Sequence, residues 1–353
     1  MATTQNVGKK QGAKASAVPG ADGAQNVPAI DGASLLGHYR QMMIVRLFEE
    51  ACQRAFRQGK VGGYLHLYIG QEAVAKGFTD AFQPGDRVIT AYRDHAHTLF
   101  LGAEPRAVMA EIYGKGTGLV KGKGGSMHLF NADHGMMGGY GIVGGHIPLG
   151  VGMAYAQAYR KSGNMVQLYL GDGAIHNGAF HEAANLAGLW GRDGLNPCLF
   201  ILENNQYGMG TSVERATAMT DLGSKFDSYG IGHEKVDGMD LEAVLAVAKR
   251  ATEMVRTTGK PYAVEAMTYR LSAHGAADFL ERYRSKEEVK KWRERDPIGM
   301  IEHKLVESGA ADDAKIDAIH DEAKAIVDDA VKFAEESPDP DIAELHTDVY
   351  AAS

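Results

Sequence analysis

Two short polar stretches carry the residues best suited to chemistry. Gly171-Asp172-Gly173 follows the apolar run Met165 to Leu170, and Glu203-Asn204-Asn205-Gln206-Tyr207-Gly208 follows the apolar run Pro197 to Leu202. A carboxylate, an amide oxygen and a backbone carbonyl are hard oxygen donors, the set that magnesium takes at roughly 2.0 to 2.1 Å. Asp172, the Asn205 side chain and the carbonyl of Tyr207 would supply three of them and leave positions for phosphate oxygens and water. Taken alone, Gly-Asp-Gly is an ordinary turn after a strand. The order singles it out: the tripeptide, then a helix, then an apolar strand, then an Asn-Asn pair.

Such donors must be held where strands end. Met165–Leu170 and Pro197–Leu202 read as short apolar strands on either side of a helix at Ala179–Trp190. Further along, Leu241–Thr257 reads as a helix and Pro261–Thr268 as a strand, and Arg87–Ala91 is a strand reached through the turn Pro84-Gly85-Asp86. This repeated strand and helix pattern predicts an α/β fold, a parallel sheet flanked by helices. In such sheets ligands bind beyond the carboxyl ends of the strands. A helix opening near Ala179 would turn amide groups and a partial positive charge towards an anion such as a diphosphate. Before the sheet, Leu36, Tyr39, Met43, Leu47 and Ala51 recur at helical spacing within residues 33–57, and a second helix is expected over 71–82. Helical spacing from Ile316 to Phe333 ends at Pro338. Residues 1–32, rich in Ala, Gly and Lys, are expected to form a flexible arm, and 33–353 a single domain.

Composition removes several function classes. A net charge of -8 and a pI near 6.0 give no basic field for nucleic acid, and no apolar run reaches the roughly 18 residues that span a membrane. Cys52 and Cys198 lack the spacing of a zinc site or a disulfide framework and read as buried thiols in a reducing compartment. The arm has neither a secretory apolar core nor the Arg content of a transit peptide, so a cytoplasmic, bacterial protein is expected, with the mitochondrial matrix left open. Glycines number 44, dense at 114–125 and 135–152, where backbone must approach something closely. Gly139-Tyr140-Gly141-Ile142-Val143-Gly144 matches G-x-G-x-x-G, yet no apolar strand is expected before it, and the next acidic residue, Asp172, lies beyond the usual interval of about 20 residues. The 114–126 stretch fails as a phosphate-binding P-loop because Gly124 stands after Lys123 where Ser or Thr is needed. His95 and His97 lack an evident third metal ligand.

The segment from Gly171 to Gly208, and the string Glu203 to Arg215 in particular, resembles the alpha subunits of the thiamin-diphosphate-dependent 2-oxo acid dehydrogenases, and those of pyruvate dehydrogenase more than the branched-chain or acetoin types. The resemblance runs from about Leu35 to Tyr350 and includes His66-Leu67-Tyr68, Gly70-Gln71-Glu72, Ile89 to Arg93 and Gly122 to His128. It implies a thiamin-diphosphate-binding fold in which Tyr92, Arg93, Gly141, Val143, the turn Gly171 to Ala174, Asn205, Tyr207 and Arg270 contact the cofactor and Mg2+. Arg93 would be a fork of donors for phosphate, Val143 the wedge under a bent cofactor, and Arg270 a diphosphate contact. His66 and His274 would face the reaction, where a histidine suits proton transfer near working pH. The resemblance further implies decarboxylation of pyruvate and acetyl transfer to the lipoyl domain of a dihydrolipoyl acyltransferase. In the family so resembled a beta subunit provides the activating glutamate, and none is evident in this chain, so the resemblance also implies a beta subunit that completes the site in a heterotetramer of two alpha and two beta chains. The stretch Gly191 to Pro197 is longer than the family pattern. Gly275 and Arg282 stand where animal members carry phosphorylatable serines, so that form of regulation is not expected. A catalytically silent scaffold subunit is the competing reading, and its mark would be loss of Asp172, Asn205 or His274, all of which are present.

Overall fold

The computed structural model describes residues 30–278 and 283–350. The expected arm at 1–32 lies almost wholly outside the described residues, as does Arg282. In chain order the helices are α1 Gly32–Arg57, α2 Glu72–Asp80, α3 His95–Phe100, α4 Pro105–Ile112, α5 His146–Tyr159, α6 Gly178–Gly191, α7 Val213–Ala216, α8 Leu241–Thr258, α9 Lys286–Arg293, α10 Pro297–Glu307 and α11 Asp313–Glu336. The strands are β1 Arg87–Ala91, β2 Met136–Tyr140, β3 Val166–Gly171, β4 Cys198–Asn204, β5 Tyr207–Gly208, β6 Thr211–Ser212, β7 Gly232–Asp237 and β8 Tyr262–Met267. Six of them form one sheet in the order β2-β1-β3-β4-β8-β7 with every neighbouring pair parallel, and β5 and β6 make a small antiparallel hairpin.

Successive strand side chains point to opposite faces, and here both faces are apolar. Ile89, Leu168, Leu170, Phe200, Leu202 and Ala263 meet Ile147 and Val151 of α5 and Phe180, Ala183 and Ala187 of α6. On the other face Val88, Tyr169, Leu199, Ile201, Val264 and Ala266 meet Val74 and Phe78 of α2 and the stripe Val244, Val247, Ala251 and Val255 of α8. Burying each such side chain is worth about 1.5–3 kcal/mol, and this two-sided burial fixes the strand tips. Outside this three-layer core, α1 packs Leu35, Tyr39 and Met42 on Ile298, Ile301, Ile316 and Ile319 of α10 and α11, and Phe48, Ala51 and Ala55 on α4 and the far half of α11. Its start is fixed by Asp31, whose Oδ1 accepts from the Ser34 amide at 2.9 Å.

Besides the short hairpin of β5 and β6, two strands of the six-stranded sheet escape the sequence reading. The edge strand β7, Gly-His-Glu-Lys-Val-Asp, is mostly polar, as edges are. The other edge strand, β2, reads Met-Met-Gly-Gly-Tyr and has no β-branched residue to announce it. Its presence overturns one ground on which G-x-G-x-x-G was set aside, because β2 does run into Gly139–Gly144 and α5 does follow at His146.

The glycine-rich stretch 114–125 also has a physical explanation. The buried Glu111 carboxylate accepts from the amides of Val120, Gly122, Gly124 and Gly125 at 2.8 to 3.0 Å. A nest of amides of the kind that binds phosphate is thus filled by the chain's own carboxylate. Replacing Glu111 by Ala would leave four amides without their acceptor, and we expect a loss of about 3 to 5 kcal/mol in urea unfolding; a loss below about 1 kcal/mol contradicts this assignment.

A candidate cation and diphosphate site at the strand tips

Parallel register brings the chemistry to one edge. Gly171 is level with Glu203, Glu203 with Ala266, Asn204 with Met267, and Ala91 with Tyr140. The residues that leave these strands therefore emerge together: Tyr92 and Arg93 from β1, Gly141 to Val143 from β2, Asp172 from β3, Asn205 to Tyr207 from β4, and Arg270 to His274 from β8. The two turns named at the outset touch, since a Cβ at Gly173 would lie 3.3 Å from the Cα of Gly208.

Three oxygens converge on one positive group. Arg270 Nη1 donates to Asn205 Oδ1 at 2.8 Å and to the Tyr207 carbonyl at 2.6 Å, while Nη2 donates to the Met209 carbonyl at 2.9 Å. Left-handed backbone at Gln206 and Met209, with φ of 74° and 57°, shapes this tight loop, a conformation disfavoured by about 1–2 kcal/mol outside glycine. Part of that cost is offset by Asn204, whose Oδ1 accepts from the Gln206 amide at 3.3 Å. Asp172 is 4% exposed. Burial pushes its carboxyl up to about 6, against the downward pull of Arg270 and then Arg93. Two oxygens that both reach a single cationic nitrogen, with a buried carboxylate in the field of the same guanidinium, have the chemistry of a hard-cation site.

Beside this cradle lies an aromatic cluster. The His66 ring centroid is 4.3 Å from Tyr92 and 4.9 Å from His274, and Tyr92 is 5.8 Å from His274. Arg93 differs from expectation. Its buried fork donates to two carbonyls, Leu67 at 2.7 Å and His274 at 2.7 Å, so it ties the 64–70 segment to the loop after β8. A buried guanidinium needs acceptors, and the backbone supplies them. The opening of α6 also differs: its first turn is capped by the chain itself, Asn177 Oδ1 accepting from the Ala179 amide at 3.0 Å, and a short 3-10 turn, Ala174–His176, intervenes after Gly173. Gly141 donates its amide to His128 Nε2 at 3.3 Å, and Val143 is 45% exposed, its carbonyl accepting from Asn177 Nδ2 at 3.0 Å.

The profile of the dehydrogenase E1 component family matches residues 40–343. Over 312 residues the chain is 46% identical to the pyruvate dehydrogenase E1 component subunit alpha of Rickettsia felis, covering 88% of this chain and 94% of that protein. It is likewise 46% identical to the subunit of that name from Rhizobium meliloti, covering 88% of each. With the chloroplastic alpha-3 subunit of pyruvate dehydrogenase E1 from Arabidopsis thaliana it shares 38% identity over 319 residues, covering 89% of this chain and 73% of that one.

The chain belongs to the dehydrogenase E1 component family. It is an oxidoreductase subunit of the 2-oxo acid dehydrogenase class, which in general depends on thiamin diphosphate.

Several residues of this E1 chain that sequence reasoning left without a role help build the site. Gln71 Oε1 accepts from Asn205 Nδ2 at 3.1 Å. Arg284 donates to the carbonyls of Arg270 and Ser272, each at 2.6 Å, and stacks over Tyr269, while Glu288 accepts from the hydroxyls of Tyr207 and Tyr269. Their only sequence signal was position, Gln71 within Gly70-Gln71-Glu72 and Arg284 and Glu288 after the β8 loop. Near His95, Glu49 and Cys52 offer ligand atoms in one buried group, but His97 is not part of it, so among the described residues the His95 and His97 pair gains no third ligand. The His95 and Glu49 atoms are already committed, with His95 Nδ1 2.8 Å from Glu49 Oε2 and the other Glu49 oxygen accepting from the Tyr68 amide at 2.9 Å. Gly275 fits a tight space, since a Cβ there would lie 2.5 Å from the Tyr64 ring.

Buried titratable groups give the E1 chain a distinctive pH response. Burial lowers His66 to about 2, His97 to about 3, His146 to about 4 and His274 to about 3, with Arg93 adding to the shift at His66 and His274. An unfolded chain takes those protons near 6.5 while the folded chain refuses them, so stability falls as pH drops from about 6.5 towards 4. Burial raises Asp94 to about 8, Glu203 to about 7 and Asp172 to about 6, so the folded chain holds these protons where the unfolded chain has released them. The stability these carboxyls contribute is fully present only below their ordinary range near 4, and it is lost progressively as pH rises from there through about 6, 7 and 8. The ligand-free chain should therefore show its highest urea midpoint between about pH 6 and 6.5; a midpoint still rising at pH 8 contradicts the account.

Proposed function

We propose that this chain is the thiamin-diphosphate- and Mg2+-binding alpha subunit of a pyruvate dehydrogenase E1 component. The observation that carries the reading is the convergence of Asn205 Oδ1 and the Tyr207 carbonyl on one nitrogen of Arg270, beside the buried Asp172. The donor set suits Mg2+, and Asp172, Asn205 and Tyr207 would hold it, with the guanidinium yielding these oxygens and turning to the diphosphate. The turn Gly171 to Ala174 would follow the diphosphate, with Tyr92 and Arg93 at its side, and Gly141 and Val143 would support the organic part of the cofactor. Bound there, the cofactor supplies the electron sink that decarboxylation of a 2-oxo acid requires.

The chain's own residues then orient and exclude. His66, Tyr92 and His274 form a half-apolar wall, and both histidines stay neutral at working pH, so they can donate one hydrogen bond without adding charge. Arg93 Nη2 stands 3.4 Å from His274 Nδ1, which favours the tautomer with the proton on Nε2, available to substrate or to an incoming lipoyl group. A beta subunit is supported by a run of exposed apolar side chains at the end of β2 and along α5 and α6: Ile142, Val143, Leu149, Leu186 and Leu189. The beta chain would complete the site in an assembly of two alpha and two beta subunits, and a lipoyl domain of the dihydrolipoyl acyltransferase would receive the acetyl group. No helix among the described residues is long and apolar enough to cross a membrane, and we place the protein in the cytoplasm, with residues 33–353 as one domain.

Calorimetry on the reconstituted alpha and beta chains tests this reading. We expect Mg2+-dependent binding of thiamin diphosphate that Asp172→Ala weakens by at least about 100-fold; an unchanged titration removes the ligand assignment. For His274→Ala we expect cofactor binding to persist while acetyl transfer falls by about 100-fold or more. Full rates of decarboxylation and transfer in that variant would support a silent scaffold instead. Faster turnover of branched 2-oxo acids than of pyruvate would move the chain to the branched-chain type.

A further inference from the structure

An asparagine amide presents oxygen on one side and NH2 on the other, so a cation accepts it in only one of two orientations. In this structure the choice is made by two contacts on opposite sides of Asn205. Arg270 Nη1 donates to Oδ1 at 2.8 Å, and Nδ2 donates to Gln71 Oε1 at 3.1 Å. The first contact is one that an arriving cation would replace. The second would persist and, among the described residues, is the contact left to keep the oxygen turned inward.

We propose that Gln71 is a positioning residue that sets the orientation of the Asn205 amide towards the cation, an inference that rests on the reading of Asp172, Asn205 and Tyr207 as its ligands. Gln71 stands at the cap position of α2, where a side chain ordinarily bonds to the helix's own first amides, yet it makes no such bond. Its backbone is fixed independently. The Gln71 amide donates to the Tyr68 carbonyl at 3.0 Å, and its carbonyl accepts from the Val74 amide at 2.9 Å. The preceding Gly70, at φ 97°, packs so closely that a Cβ would lie 2.5 Å from the Tyr269 carbonyl. The side chain is fully buried, and its Nε2 has no partner among the described residues. A buried amide would gain a bond by rotating if another orientation were free to it. Rotation here would set two NH2 groups face to face or turn Asn205 so that its NH2 met Arg270. The unpaired Nε2 therefore marks an orientation fixed by Asn205.

The test uses the reconstituted alpha and beta chains with thiamin diphosphate present, and reads Mg2+ binding by calorimetry together with the Mg2+ dependence of turnover. Gln71→Met keeps the length and removes the acceptor, and should raise the Mg2+ dissociation constant by at least about 10-fold, with the rate at saturating Mg2+ within about threefold of the parent. Gln71→Glu restores an acceptor and should recover the affinity to within about threefold. In an Asn205→Asp background, where either carboxylate face offers oxygen, Gln71→Met should cost less than about twofold. Unfolding midpoints without Mg2+ check the fold, and if Gln71→Met lowers the midpoint, Gln71→Asn, too short to reach, takes its place. Equal Mg2+ affinity in parent and Gln71→Met overturns the proposal, as does an equal loss in the Asn205 and Asn205→Asp backgrounds. A parent complex that binds the cofactor without any need for Mg2+ would remove the underlying ligand assignment, a failure distinct from these.

Discussion

Oxygen atoms repel one another when their partial negative charges are brought together away from water, and the strand-tip edge of this chain does so deliberately. Asn205 Oδ1 and the carbonyls of Tyr207 and Met209 share one small region with the buried Asp172 carboxylate nearby. Only positive charge makes that arrangement tolerable. In this structure it comes from Arg270, and the rest of the site can be understood as what holds a cationic group and four oxygens in register.

The sheet provides that register. Because β1, β3, β4 and β8 are level with one another and buried on both faces, small shifts of any one tip are opposed by packing on two sides. Arg93 and Arg284 then join the loops that leave the strands, each donating to two backbone carbonyls. Burial, reinforced by the positive charge of Arg93 and Arg270, keeps His66 and His274 neutral, so the cations that gather the oxygens also add to the effect of burial on the wall beside them.

Much of this was legible in sequence. The strands after which Asp172, Asn205 and Arg270 stand are short, apolar and flanked by turn residues, and the amphipathic α1, α8 and α11 keep helical spacing over many turns. What stayed hidden depends on contacts between distant segments. The strand β2 forms from Met-Met-Gly-Gly-Tyr because β1 offers it a parallel edge, a tertiary effect that overrides weak local preference. Neither Gln71 nor Arg284 carries a pattern of its own, since each acts on a partner outside its own element, Asn205 134 residues away and the carbonyl of Arg270 14 residues away. The carbonyl contacts of Arg93 stayed hidden for the same reason: the sequence shows a donor, and only the fold shows which acceptors surround it.

The most direct measurement is anomalous diffraction from crystals of the alpha and beta chains grown with thiamin diphosphate and Mn2+ in place of Mg2+. The account predicts an anomalous peak bounded by the Asp172 carboxylate, Asn205 Oδ1 and the Tyr207 carbonyl, with Arg270 Nη1 moved off those oxygens. A manganese peak elsewhere, with the Arg270 guanidinium still seated on Asn205 and Tyr207, would contradict it.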